Sequence, residues 1–187
     1  RFSLLRQMVC VLGVPLLNCN LVGGQDELVF DGASLVVGAD GGLSTRGRQF
    51  EEDTLHVQIP VSPGGKPRLD NALIQLVKLD APPTVAISPP RAIGSPPELT
   101  GSAEVYAALK LGLRDYADKN GFDKVVIALS GGLDSALVAV LAVDALGAGR
   151  VNAVTMPSAY SSPETRADAL ELARNLGIEC LSLPIHN

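Results

Sequence analysis

Residues 125–129 of this 187-residue chain, Val-Val-Ile-Ala-Leu, form an unbroken apolar run that ends at Ser130, Gly131 and Gly132. A run with no polar alternation is the pattern of a strand buried on both faces, which is characteristic of parallel sheets. Parallel strands cannot be joined by a tight turn; they need a crossover, usually a helix. The following residues supply one: Leu133, Ala136, Leu137, Val140 and Leu141 recur at helical spacing, and Gly147 stops the repeat. Residues 151–156 give a second strand. Ser161, Ser162, Pro163 and Glu164 read as a capping box with proline near the first helical position. Ala169, Leu172, Ala173 and Leu176 form the next apolar stripe, Gly177 ends it, and residues 180–183 begin a third strand. A helix over residues 103–119, closed by Asn120 and Gly121, comes before all of these. The pattern predicts βαβαβ: an α/β fold containing one half of a doubly wound parallel sheet, with right-handed crossovers.

Residues 1–59 are organised differently. A helix over residues 2–12 feeds a strand at 15–18. The apolar run 8–17 is too short to span a membrane and is interrupted by Gly13 and Pro15. The first residue is Arg, not Met, and no small-residue cleavage site follows, so a truncated chain is expected in preference to a signal peptide. Residues 28–30, 34–37 and 54–59 read as strands, with turn signals at Asp31-Gly32 and over residues 39–42, the material of β-hairpins. Residues 54–59 alternate apolar and polar, which places His56 on a wet face. Eight of the thirteen prolines then fall between Pro63 and Pro97. That density excludes regular helix and most sheet pairing, leaving a linker with at most one strand near 72–79. The expected division is therefore 1–59, a linker over 60–99, and the α/β unit over 100–187.

Composition removes several function classes. Hydrophobic residues make up 47% and charged residues 19%, enough apolar content to bury a core. A net charge of −5 argues against a nucleic-acid partner, and any anionic ligand must be held by a local site. The three cysteines, Cys10, Cys19 and Cys180, form no CxxC pair, which suits a reducing cytoplasm, and His56 and His186 are too far apart for zinc spacing. Cys10 lies in the apolar helix and Cys19 flanks a strand, so both read as packing cysteines. Glu51, Glu52 and Asp53 form a short acidic turn with no companion ligands nearby in sequence.

The chemistry is concentrated at Ser130-Gly131-Gly132-Leu133-Asp134-Ser135, between the first strand of the α/β unit and its helix. Ligands of open α/β sheets bind outside the carboxyl ends of the strands. The helix starting near Leu133 presents unpaired N–H groups there, with about half a positive charge from its dipole. The paired glycines let the backbone curl into an anion nest, and Ser130 and Ser135 add hydroxyls. Asp134 would repel a bare phosphate. It makes sense beside a cation, and Mg²⁺ held by one carboxylate plus substrate phosphates is the usual arrangement. The loop is neither GxxxxGK[ST] nor GxGxxG. A bare Ser-Gly-Gly could be only a tight turn, with Asp134 stabilising the helix start; the full six residues in this setting point to nucleotide binding.

These six residues resemble the signature of the N-type ATP pyrophosphatases, which cleave ATP between its α- and β-phosphates, adenylate an acceptor and let a nitrogen nucleophile displace AMP. Gly112-Leu113-Arg114-Asp115-Tyr116, Asn120-Gly121-Phe122, residues 143–147 (Val-Asp-Ala-Leu-Gly) and residues 156–162 (Met-Pro-Ser-Ala-Tyr-Ser-Ser) are similar to NAD synthetases in particular. Residues 22–34 resemble the C-terminal part of the nitrilase-like glutaminase domain that precedes the synthetase domain in glutamine-dependent members, although Leu17-Asn18-Cys19-Asn20-Leu21-Val22 departs from the usual Tyr-Val-Asn-x-Val. The resemblance implies an adenine nucleotide alpha-hydrolase-like fold preceded by the β-rich end of a nitrilase-like domain. It implies a ligase that adenylates nicotinate adenine dinucleotide with ATP and amidates it with glutamine-derived ammonia, giving NAD, AMP and pyrophosphate. Mg²⁺ is the implied cofactor, with Asp134 as its ligand and Leu129, Ser130, Gly131, Gly132, Leu133, Asp134, Ser135 and Met156 as the ATP site. The implied full-length protein is a homo-oligomer without nucleic-acid or membrane partners. Its glutaminase Glu–Lys–Cys triad is expected upstream of Arg1, so this chain alone is expected to be inactive. GMP and asparagine synthetases share such a loop but pair it with other glutaminases; a nucleotide-binding remnant without turnover is the rival from another class.

Three further positions remain open in the sequence. Residues 156–162 could contact adenine or ribose, or could be an ordinary βα loop capped by Ser161. Arg166 could reach a phosphate or lie exposed on its helix. Asp144 reads as part of a solvated helix face.

Overall fold

The computed structural model describes residues 1–59, 95–158 and 162–185. Most of the proline-rich stretch, with the strand expected near 72–79, lies outside the described residues, as do Tyr160, Ser161 and His186. Helix α1 (Phe2–Leu12) leads to β1 (Leu16–Asn18), β2 (Val22–Gln25), β3 (Leu28–Asp31), β4 (Leu35–Val37) and β5 (Leu43–Arg46). After the proline-rich stretch come α2 (Ser102–Lys119), β6 (Val125–Ala128), α3 (Leu133–Leu146), β7 (Val151–Thr155), α4 (Pro163–Leu176) and β8 (Glu179–Ser182).

The first half builds two small antiparallel sheets, β1-β4-β5 and the hairpin β2-β3. α1 closes the first of these by packing Leu5 and Val9 on Leu35 and Val37, with Phe2 and Leu16 at the edge. Two sequence expectations fail here. The hairpin that ends in β3 turns at Asp26-Glu27 and pairs β3 with β2, so Asp31-Gly32 leads from one sheet to the other. Asp26 takes the left-handed φ of 51° that such a turn needs, and aspartate tolerates it well. Residues 54–59 form no strand, although their burial still alternates and His56 is exposed as expected. The strand that pairs with β4 on the side away from β1 is β5, which carries polar Ser44, Thr45 and Arg46 and so gave no apolar signal.

The second half is a parallel sheet in the order β6-β7-β8. Its core contains Ala139 and Ala142 of α3, Ala169 and Ala173 of α4, and Val151 and Ala153 of β7, with Val125, Ile127 and Cys180 packed against them. Small residues on both helices let them lie close to the strands. Both crossover helices therefore cover one face of the sheet. On the other face Val126 and Leu181 are 68% and 58% exposed, so the second helical layer of a doubly wound sheet is not found among the described residues. The run 125–129 is accordingly half-buried in alternation, and only Leu129 is fully enclosed. The stripe expected on α3 is also displaced: Leu133 and Leu137 are exposed, and the helix packs through Ala139, Ala142, Val143 and Leu146. A helix apolar on nearly every side carries no periodic signal for its buried face.

The two halves meet where β2 lies on α2. Asp115 accepts a hydrogen bond from the Gly24 N–H at 2.8 Å, and Lys119, one turn on, donates to the Gly24 carbonyl. Two charged side chains thus take the free polar groups of a sheet edge that would otherwise be open. Close approach explains the glycines: a Cβ on Gly24 would lie 3.0 Å from the Cα of Gly112. Asp115→Ala should leave the Gly24 N–H buried without a partner and cost about 1–3 kcal/mol in urea unfolding, whereas Asp115→Asn, which keeps an acceptor oxygen, should cost less. Equal stability of Asp115→Ala and the parent would show that water replaces the carboxylate.

Candidate nucleotide site at the carboxyl edge of the parallel sheet

β6 ends at Ala128, and the chain reverses into α3 through Leu129, Ser130, Gly131 and Gly132. Leu129 anchors the turn, 2% exposed, with its N–H donating to the Val154 carbonyl at 2.8 Å. Gly131 has φ +84°, the left-handed region, and Gly132 caps α3 in an extended conformation. The loop is closed by its own serines. Ser135 Oγ accepts from the Ser130 N–H at 3.2 Å and donates to the Gly132 carbonyl at 3.0 Å, the two hydroxyls lie 3.1 Å apart, and Ser130 Oγ accepts from the Gly132 N–H at 3.2 Å. The serines thus organise the loop before any ligand arrives, in addition to the donor role expected for them. The N–H groups of Gly131, Leu133, Asp134 and Ser135 have no partner among the described residues.

α4 buttresses the loop from the side. Its N-cap is Ser162, whose Oγ accepts from the Thr165 N–H at 3.3 Å, with Pro163 at the first helical position. The cap expected at Ser161 with Glu164 is therefore shifted by one residue, to Ser162 with Thr165. Glu164 is turned toward its own helix start, where backbone and Ser162 hydrogen bonds hold its carboxyl below the usual range. The Thr165 backbone sits directly against Gly131: a Cβ there would fall 2.1 Å from the Thr165 carbonyl oxygen.

Between loop and buttress is a cleft of about 150 Å³ lined by Ser130, Thr155, Met156, Pro157, Thr165 and Arg166, with Ala128 and Leu129 behind. That is below the ~300 Å³ of a typical small-molecule pocket, so it makes one wall of a site. Ser130 and Met156 lie in the cleft with Leu129. Asp134, in the first turn of α3, is exposed and makes no hydrogen bond or ion pair among the described residues. Thr155, 4% exposed, and Thr165 were not anticipated. Nothing in the sequence marks Thr155, whereas Thr165 follows from its place three residues after Ser162.

Other expectations change. Asp144 is exposed but accepts a 2.7 Å hydrogen bond from the Tyr106 hydroxyl, which raises the Tyr106 pKa and ties α2 to α3. Cys10 and Cys19 are exposed among the described residues, not packed. Cys180 is half-buried in the parallel-sheet core, and burial pushes its thiol pKa up, away from nucleophilic use. No group of three or more His, Cys, Asp or Glu side chains able to hold a metal ion occurs among the described residues. No described helix is long and apolar enough to cross a membrane.

With this geometry established, the chain can be set beside known proteins. The sequence profile of the NAD synthase family matches residues 105–187, the stretch that holds α2, the phosphate loop and the cleft. This segment belongs to the NAD synthase family. Beyond the family segment, similarity continues through the antiparallel half. The glutamine-dependent NAD(+) synthetase of Aquifex aeolicus is 47% identical over 176 residues, and that of Thermotoga maritima 43% over 184, covering 89% and 92% of this chain. The chain spans 30% and 31% of the length of those two relatives. The solved structure of glutamine-dependent NAD+ synthetase from Acinetobacter baumannii in complex with ADP matches with a TM-score of 0.76 and 34% identity, over 100% of this chain and 31% of that one. A glutamine-dependent NAD(+) synthetase from Cytophaga hutchinsonii shares the fold, with a TM-score of 0.70 at 17% identity. The NAD synthase segment and the antiparallel half together thus follow one architecture.

Proposed function

We propose that this chain is the joining segment of a cytoplasmic glutamine-dependent NAD synthetase: the end of a nitrilase-like glutaminase domain over 1–59, a linker over 60–99, and the start of the ATP pyrophosphatase domain over 100–187. The carrying observation is the loop 130–135, with four N–H groups and a carboxylate that have no partner among the described residues, at the carboxyl end of a parallel strand within a segment 43–47% identical to such synthetases. In this reading the N–H groups of Gly131, Leu133, Asp134 and Ser135 bind the phosphates of ATP. Ser130 and Ser135 fix the loop's shape, and Met156 borders the nucleoside. A lone carboxylate at the helix start suits Mg²⁺, which takes one or two protein carboxylates and shares the remainder of its shell with phosphates and water. When bound, Mg²⁺ neutralises charge developing on the phosphates. Asp134 is the residue that would hold it.

The test is product analysis. The full-length enzyme, given ATP, nicotinate adenine dinucleotide and glutamine, should form NAD, AMP and pyrophosphate in equal amounts. Formation of ADP instead would overturn the pyrophosphatase assignment. This chain alone should release no ammonia from glutamine. Release abolished by Cys19→Ser would show that the glutaminase nucleophile lies here.

A further inference from the structure

Among the described residues, Arg166 is the one cation that lines the cleft beside the phosphate loop. It lies in the first turn of α4, immediately after Thr165, whose carbonyl faces Gly131. Its side chain makes no ion pair or hydrogen bond among the described residues. The two carboxylates nearest along the helix, Glu164 and Asp168, form no ion pair with it among the described residues, and hydrogen bonding at the helix start lowers the Glu164 pKa. An exposed arginine free of partners is ordinary on a helix surface. One that shares a cleft with Ser130, Thr155 and Met156, beside loop N–H groups without partners among the described residues, is not, because the N-termini of α3 and α4 both border that cleft and no carboxylate among the described residues pairs with Arg166. In a chain of net charge −5, an anionic ligand must be held by local groups such as these.

We propose that Arg166 is a nucleotide-binding residue that clamps the phosphate chain of ATP against the loop 130–135, facing it from α4. The guanidinium presents planar, paired N–H donors matched to phosphate oxygens, which an ammonium does not reproduce. The proposal rests on the ATP-site reading above and adds a side chain from the second crossover helix. The contact of the Thr165 backbone with Gly131 brings the next residue, Arg166, into the cleft that Ser130 also lines.

Calorimetric titration of the full-length protein with ATP and, separately, with adenosine tests this. Arg166→Ala should weaken ATP binding roughly tenfold to a hundredfold and leave adenosine binding unchanged, since a charge-assisted hydrogen bond to phosphate is lost and the nucleoside contacts remain. Arg166→Lys should fall between the two. Thermal unfolding of each variant should match the parent. Unchanged ATP affinity in Arg166→Ala, with ATP bound normally by the parent, overturns the clamp and spares the ATP site. Equal losses for ATP and adenosine overturn it too, by making Arg166 a support of the cleft wall. A parent that binds no ATP overturns the site reading on which the clamp rests.

Discussion

Gly131→Ala should be among the most destabilising single substitutions in the parallel-sheet half. Two costs coincide. The residue has φ +84°, where an L side chain is strained by about 1 kcal/mol or more. The added Cβ would also lie 2.1, 2.7 and 2.9 Å from the oxygen, carbonyl carbon and Cα of Thr165. These are all backbone atoms, so no rotamer change relieves the overlap, and α4 or the loop must move. Overpacking of this kind typically costs 1–3 kcal/mol, so the total is about 3 kcal/mol, a large share of a typical domain's ~5–15. For a chain of this size that corresponds to a fall in Tm of roughly 6–12 °C by circular dichroism. Gly132→Ala is the control. Gly132 has φ −87°, and its Cβ would meet only the Ser130 hydroxyl, at 3.3 Å. Its cost should stay under about 1 kcal/mol. If the two variants melt together, α4 does not press on the loop as described.

Asp134→Asn should have the largest effect on catalysis. In the full-length enzyme it should lower pyrophosphate release at saturating ATP by at least ~100-fold across a Mg²⁺ titration, since a metal-mediated contact is worth several kcal/mol in the transition state. Stability should barely respond. Asp134 has no partner among the described residues, and losing its favourable interaction with the helix dipole costs only about 0.3–1 kcal/mol. The two readouts therefore separate a ligand from a helix-start residue. Ser135→Ala should cost activity less, about tenfold, because it opens the loop's internal clip without removing charge. Asp134→Asn matching the unmutated enzyme at every Mg²⁺ concentration would end the metal-ligand role.

Much of the parallel half was legible in the sequence because its signals are local. The glycines after each helix, the proline at the start of α4 and the apolar strands are short-range features whose physics does not depend on the fold; even there the cap falls one residue later than expected, at Ser162. What escaped depends on partners distant in the chain. β5 is polar, and only its neighbour β4 makes it a strand. The buried face of α3 is chosen by α4 and β7, not by its own uniformly apolar composition. The loop 130–135 was recognisable by residue type, but the mutual engagement of Ser130 and Ser135 was not, since hydroxyl partners follow from torsion angles that residue order leaves free. Arg166 was ambiguous for the same reason. Its charge is visible in the sequence, and its cleft exists only once α4 lies against Gly131.

The meeting of Gly24 with α2 has a kinetic consequence. The Gly24 amide is held by a carboxylate 91 residues away, not by its own hairpin. Its hydrogen can exchange with solvent only when the strand edge lifts from α2. Other amides of β2 and β3 that bond across the hairpin need the hairpin itself to open. One backbone hydrogen therefore times the parting of the two halves separately from the melting of either, and Asp115→Asn would quicken that clock while leaving its neighbours unchanged.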